Sequence, residues 1–534
     1  MLTTSLRGLV LAALAAAGLP AATASASAPA WWSYDRPATS SSRHSQVAVP
    51  MRDGVRLGCD LHLPARSGKA LPGRFPSVIY EVTPYAAATA IYVEQGAWFA
   101  SRGYAAITCN VRGTGRSGGT FPQPNQPAEQ TDAYDLVEWV AAQSWSTGRV
   151  GQTGESYGGM MTYRAAASGA PHLVAAVPQQ APNDLYLDDV YPGGVPAAEL
   201  THQWWPVIAN VASLGRIDPS RLFAVQRRHP TRDAFWQQIA LDSVLDRIDV
   251  PILALAGWND PLFRDGAIRN FERLVSRRGA ASTYLIAGPW KHGGVFAWPS
   301  CRIIAAGCAG GDLVPRGALL AWFDHWVAQR PDAPLPSATV TSYEGPKGVG
   351  AGWQERATVF PESVATRFAL TIDGALNDGT SPPAGARSWT ADPADGLLRR
   401  TPALTFTSAP LPATKLAGRP TLRAELASTR GDAYLLAELR WIRPDGSATK
   451  ISEGWLRASH RDSHASPTPL VRGQRTPLTV ALEPLDLALP AGSRLALRVS
   501  SGSALEVRPL SRRTLTLAVG AGGSILDVPI ARLP

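Results

Sequence analysis

The 534-residue chain has only four cysteines, four methionines and five lysines, at positions 69, 291, 347, 415 and 450. So few cysteines exclude a disulfide-stapled miniature fold, and no Cys/His spacing resembles a zinc site, so no metal and no other cofactor is expected. Cys301 and Cys308 are close enough to close a short loop and are expected to pair. Cys59 and Cys109 fall on separate strand-like runs, the ordinary setting of buried thiols, and their pairing is left open. With little lysine, the positive side is carried by scattered arginine. The net +9 therefore forms no stripe able to grip phosphates, and a nucleic-acid partner is not expected. Long apolar runs are missing beyond the N-terminus. The run at 9–19, behind Arg7, is too short to span a bilayer. Followed by Ala24-Ser25-Ala26 and Ala26-Ser27-Ala28, it has the charged start, short apolar core and small-residue cut site of a secretory signal. Residues 1–28 are thus expected to be a signal peptide and the mature chain to be secreted, without a membrane span.

What is present is a change of texture along the chain. Between about 45 and 345, strand-like runs at 45–49, 56–63, 77–82, 105–111, 150–153, 174–178, 252–256 and 283–287 alternate with helical stretches. Ala133, Leu136, Val137, Val140 and Ala141 share one face of a 3.6-residue period. This predicts an α/β domain over 29–350, a mostly parallel sheet covered by helices. Residues 183–247 interrupt the rhythm with aromatic residues and no strand, as a mostly helical cap would. After 350, strand-like runs at 368–372, 403–407, 421–426, 434–442, 478–482, 494–499 and 514–519 occur without helices, predicting an all-β sandwich over 351–534.

Two G-x-S-x-G matches occur, around Ser117 and Ser156. That motif is catalytic only where a strand turns sharply into a helix. Ser156 has a strand before it and a helical stretch after it. Ser117 is followed by Phe121-Pro122-Gln123-Pro124, which cannot start a helix. For the same reason Gly113-x-Gly115-x-x-Gly118 is not a dinucleotide site. A serine hydroxyl needs a base, and the base an orienting acid; in this fold their order is Ser, Asp, His. Asp260 follows one buried-strand run, with Asp265 as fallback, and His292 follows the next. Among the nine histidines, His292 combines that order with a strand-end loop. The oxyanion requires donors, expected from the backbone N–H of Tyr157 and from the loop around residues 81–85.

In this order the motifs resemble those of the cocaine esterase and X-Pro dipeptidyl-peptidase family, which includes α-amino-acid ester hydrolases and acylases. The resemblance runs through Met51-Arg52-Asp53-Gly54, Thr83-Pro84-Tyr85, Asn110-Val111-Arg112-Gly113, Gly154-x-Ser156-Tyr157-x-Gly159, Gly257-Trp258-x-Asp260, Gly288-Pro289-Trp290-x-His292 and Leu456-Arg457-Ala458-Ser459-His460. Asn110 stands where the family usually has Asp. The resemblance implies a serine hydrolase of small ester, amide or peptide substrates with a C-terminal jelly-roll. It also implies that the Tyr85 hydroxyl donates to the oxyanion. Gly154-Glu155-Ser156-Tyr157 is similar as well to the elbow of serine carboxypeptidases, where the Glu helps bind a carboxylate. A non-catalytic secreted binding protein is the other alternative. A substrate with a free α-amine would need carboxylates in the cap, and Asp188 and Asp189 are the candidates.

Overall fold

The computed structural model describes residues 29–533 apart from 86–88, 198–204, 207–216, 281, 294–315, 345–351, 380–381, 395–400 and 504–506. Its first sheet is built from β1 (Ser41–Pro50), β2 (Arg56–Arg66), β3 (Lys69–Ala70), β4 (Phe75–Thr83), β5 (Ala105–Asn110), β6 (Ser146–Glu155), β7 (Leu173–Gln179), β8 (Ile252–Gly257), β9 (Thr283–Gly288), β10 (Val340–Glu344) and β11 (Gly352–Arg356). The spatial order is β1-β2-β5-β4-β6-β7-β8-β9-β10-β11, with β3 beside β2. From β5 through β10 the neighbours are parallel; β1, β2 and β11 pair antiparallel at the margins.

Parallel strands covered on both faces must be apolar on both, and β8 shows it: every residue is buried. Its side chains alternate between two cores. Ala254 and Ala256 join the cluster under α2 (Ala128–Ala141), α3 (Tyr157–Ala166) and a helix at Arg264–Arg278, whereas Leu253 and Leu255 face α1 (Thr89–Ser101) and a helix at Arg316–Trp326. The period-2 pleat thus sorts one sequence run onto two layers of helix. The predicted face of α2 is buried as a unit, from Ala133 to Ala141.

The cap is helical in its described parts, with short turns at Tyr186–Val190 and Pro192–Gly194, then α4 (Pro219–Arg228) and α5 (Ala234–Ile239). The helix Arg264–Arg278 is α6 and Arg316–Trp326 is α7. The remaining strands, from Ser363–Leu370 to Ile525–Ala531, form an all-β domain with its own core around Phe368, Phe406, Leu435, Leu497 and Val528. The first sheet runs past the expected boundary at 350 to Arg356, because β11 pairs back on β10. The two parts are joined by ion pairs: Lys415 meets Glu344, Arg356 meets Asp486, and Arg419 meets Asp265 and Glu272.

Cys59 and Cys109 are not separate thiols. β2 lies antiparallel to β5 and sets the two residues opposite each other, where they form a disulfide. The sequence shows both strands but not that they are neighbours. Cys301 and Cys308 lie outside the described residues, as do residues 1–28. No helix among the described residues is long and apolar enough to cross a membrane.

Candidate active site

The site begins at the end of β6, where the chain reverses into α3 within one residue. Ser156 sits in that turn at φ 59°, ψ −113°, a left-sided conformation that side chains adopt at a cost. The flanking glycines follow from packing. A Cβ on Gly154 would come 2.7 Å from the Gly158 backbone, and one on Gly159 would come 2.5 Å from the Gln179 carbonyl oxygen. A turn this tight therefore accepts glycine at both places, which is the physical content of the motif.

His292 follows β9, and its Nε2 lies 3.0 Å from Ser156 Oγ. Its Nδ1 lies 3.0 Å from Asp260 Oδ2, in the loop after β8. Three loops at the carboxyl ends of β6, β8 and β9 thus bring together residues 136 and 32 positions apart. The Phe263 ring stands edge-on to the imidazole at 5.0 Å and restricts its rotation. Asp260 is fully buried, yet each carboxylate oxygen is served twice. Oδ1 accepts the N–H groups of Leu262 (2.8 Å) and Phe263 (3.2 Å); Oδ2 accepts from His292 and from Gln180 Nε2 (3.1 Å). Gln180 also donates to the Lys291 carbonyl (3.0 Å), so one amide ties the acid loop to the base loop. It does so from a left-handed backbone position, φ 43°, just past β7. Nothing in the sequence marks Gln180, because its role depends on which two loops it reaches.

Burial alone would depress the His292 pKa, but Asp260, Glu155 and Asp189 outweigh it and hold the imidazole above its ordinary 6.5. The Tyr157 amide belongs to the first turn of α3, where N–H groups have no acceptor within the helix. Its phenol points elsewhere, donating to the buried Glu129 at 2.9 Å. Tyr85 lies just beyond β4, the strand beside β6, half-buried against the main core.

Other candidates are engaged in structural work. Ser117 Oγ donates to the Asn110 carbonyl (2.7 Å) and accepts the Gly58 N–H (2.9 Å), closing a buried loop. Asp265 pairs with Arg269 and Arg419, not with His292. Asp188 and Asp189 part company. Asp188 Oδ2 accepts the backbone N–H of Asn183 and Asp184 while Oδ1 meets Arg269, so it braces the cap entrance. Asp189 is 2% exposed, its Oδ2 has no hydrogen-bond partner among the described residues, and burial pushes its pKa up to about 7 against the pull of His292. It lines a cavity of about 490 Å³ whose opposite wall is the β-domain, through Glu453, Trp455 and Glu483. Sequence reasoning named the two acids together but not the β-domain wall, which comes from far along the chain. Glu155 is 5% exposed and both its carboxyl oxygens are out of solvent, unlike a residue presented to a substrate carboxylate.

Comparison with known proteins agrees with this arrangement. Residues 53–294 match the X-Pro dipeptidyl-peptidase (S15 family) profile, and residues 334–518 match the X-Pro dipeptidyl-peptidase C-terminal non-catalytic domain. A cocaine esterase of Rhodococcus sp. (strain MB1 Bresler) is 26% identical over 535 residues, covering 86% of this chain and 90% of that protein. In fold, the chain is similar to an aminopeptidase from a marine sediment archaeon, Thaumarchaeota archaeon (TM-score 0.79, 20% identity, 95% of this chain and 99% of that one). It is similar also to an α-amino acid ester hydrolase (TM-score 0.73, 21% identity, 93% and 98%). With both halves matched in order, the chain belongs to the cocaine esterase and X-Pro dipeptidyl-peptidase family of α/β serine hydrolases.

Proposed function

We propose that the protein cleaves small ester, amide or peptide bonds through an acyl-enzyme on Ser156. The observation that carries this is the continuous contact Ser156 Oγ–His292 Nε2–His292 Nδ1–Asp260 Oδ2, 3.0 Å at each link. Ser156 Oγ attacks the carbonyl carbon as its proton passes to His292 Nε2. The negative charge on the carbonyl oxygen is met by the Tyr157 amide and the Tyr85 hydroxyl. Collapse expels the leaving group, which takes the proton from the imidazolium. Water then enters and gives a proton to His292 as its oxygen bonds to the acyl carbon; collapse breaks the bond to Ser156 Oγ, which takes the proton back from His292, and the acid leaves. Asp260 accepts from His292 Nδ1 and so fixes the imidazole tautomer.

A free α-amine on the acyl side is supported by Asp189 alone. It is a buried carboxyl with an unpartnered oxygen on a cavity wall, in electrostatic reach of His292, whereas Asp188 has no oxygen to offer. The secretory pattern at 1–28, together with a disulfide, supports export to an oxidising compartment.

A panel of chromogenic esters, amides and X-Pro substrates tests the reading. Ser156→Ala should lose several orders of magnitude in kcat and no longer label with a fluorophosphonate. Asp189→Asn should raise KM for amine-bearing substrates and spare a neutral ester, and Asp188→Asn should instead lower stability. An active Ser156→Ala enzyme defeats the acyl-enzyme; equal effects of Asp189→Asn on both substrate types defeat amine recognition.

A further inference from the structure

Beneath the elbow lies a second carboxyl that the acyl-transfer chemistry does not use. Glu81, on β4, is 2% exposed. Its Oε2 accepts the backbone N–H of Glu155 at 3.1 Å. Its Oε1 fills the space that a side chain at position 158 would need: a Cβ on Gly158 would fall 1.4 Å from it. The strand itself is adapted to aim it, because the register of β4 on β5 shifts between Ile79 and Glu81. Such a bulge turns a side chain away from the direction that regular alternation dictates, here into the wedge between the end of β6 and the start of α3.

We propose that Glu81 is a positioning residue for acyl transfer, its carboxyl wedging the Ser156–Tyr157–Gly158 backbone and so fixing both the Ser156 Oγ and the Tyr157 amide. The proposal rests on Ser156 being the nucleophile, as argued above. An apolar side chain of similar size would fill the wedge but take away the acceptor that the Glu155 N–H has at Oε2, which is costly in a dry site. A carboxyl satisfies it, and burial, then the neighbouring Glu155, holds that carboxyl well above the usual carboxylate range. Oε2 accepts the Glu155 N–H, and Oε1 has no hydrogen-bond partner among the described residues. The other titratable groups facing it are Tyr80 on its own strand and Tyr92 from α1, both held protonated by burial. A neutral tether holds the turn without placing charge under a developing oxyanion. Ionised, it would oppose that oxyanion and strengthen the carboxylate field on His292, so kcat should decline at alkaline pH.

The test is kcat and KM for a chromogenic ester from pH 6 to 10, with thermal melts, for the parent, Glu81→Gln, Glu81→Leu and Ser156→Ala. Glu81→Gln keeps a neutral acceptor and should restore kcat to within about threefold of the parent at neutral pH while abolishing the alkaline decline. Glu81→Leu should lose about 10–100-fold in kcat with KM within about twofold, the pattern of a misplaced transition-state contact. A folded Glu81→Leu enzyme with parental kcat, or an alkaline decline unchanged in Glu81→Gln, overturns the proposal. If Glu81→Leu does not fold, the pH profile of Glu81→Gln decides. Turnover by Ser156→Ala would instead overturn the acyl-enzyme, whatever the Glu81 variants do.

Discussion

His292 is held through Asp260, and of the contacts that hold Asp260 the one from Gln180 is the most informative. Asp260 orients the imidazole, but Asp260 is itself oriented by two backbone amides and by Gln180. Backbone amides cannot be removed by substitution; Gln180 can. Gln180→Leu should lower kcat by about tenfold with little change in KM, since a hydrogen bond to a charged group contributes about 1.5–3 kcal/mol and Asp260 keeps its other partners. Steady-state kinetics settle it, and parental kcat would show the amide to be dispensable. Doubling with Asp260→Asn should add little, because the residues act as one unit. The three residues that meet were legible at this scale: order along the chain and strand-end placement pointed to Ser156, Asp260 and His292. Gln180 was not, because its partners lie 80 and 111 positions away. The difference between Asp188 and Asp189 was equally hidden, since adjacent identical residues differ only in what the fold brings to each.

Elements carry the next level of constraint. The eight runs expected as strands in the first part all form strands, and those of the parallel centre, covered on both faces, leave a dense apolar signature. β10 and β11 were missed; β11 is half-exposed, and its Gly-Trp-Gln-Glu-Arg sequence lacks that signature. The adjacency of β2 and β5 was also invisible, and with it the disulfide. That bond closes a separation of 50 residues. Replacing both cysteines by Ala should lower unfolding free energy by about 2–4 kcal/mol, chiefly by freeing the unfolded chain. Urea melts of the double variant against the parent measure this. Equal midpoints would mean that the β2–β5 hydrogen bonds already supply the constraint. Because Cys59 and Cys109 lie in the sheet margin rather than in the elbow, kcat should be preserved.

For the whole molecule, burial of ionisable groups sets opposing pH dependences. Glu129 and Glu483 are pushed up to about 8 and Asp189 to about 7, in each case by burial. A carboxyl whose folded pKa exceeds its unfolded one binds more protons when folded. Its contribution to stability is complete below about pH 4 and is lost as pH rises toward 8. His62 and His460 are depressed to about 4 by burial, so their contribution is complete above 6.5 and is lost as pH falls toward 4. Between about pH 4 and 6.5 the two sets oppose each other, and above 6.5 only the loss from the carboxyls remains, so the melting temperature should be highest below about pH 6.5 and fall toward pH 8.5. Activity should not follow it. His292 must be neutral to accept the Ser156 proton, and its raised pKa puts the midpoint of kcat/KM above 6.5. Melting curves and initial rates on the same buffers would separate the two maxima. Coincident maxima would mean that these buried groups do not govern stability.

The sequence alone determined the architecture and pointed to the serine proposed as nucleophile, because both are written in local pattern. Apolar runs of strand length, a 3.6-residue face and glycines around a serine are properties of neighbouring residues. It also fixed the order in which acid and base must follow. Tertiary structure decided what depends on residues distant in the chain: that Cys59 faces Cys109, that Gln180 spans two loops, that Asp188 meets Arg269 while Asp189 keeps an oxygen without a hydrogen-bond partner among the described residues, and that Glu81 lies under the elbow. Each of these is a contact between side chains whose separation in sequence carries no periodic signal, and only the packing of strands and loops against one another brings them within hydrogen-bond distance.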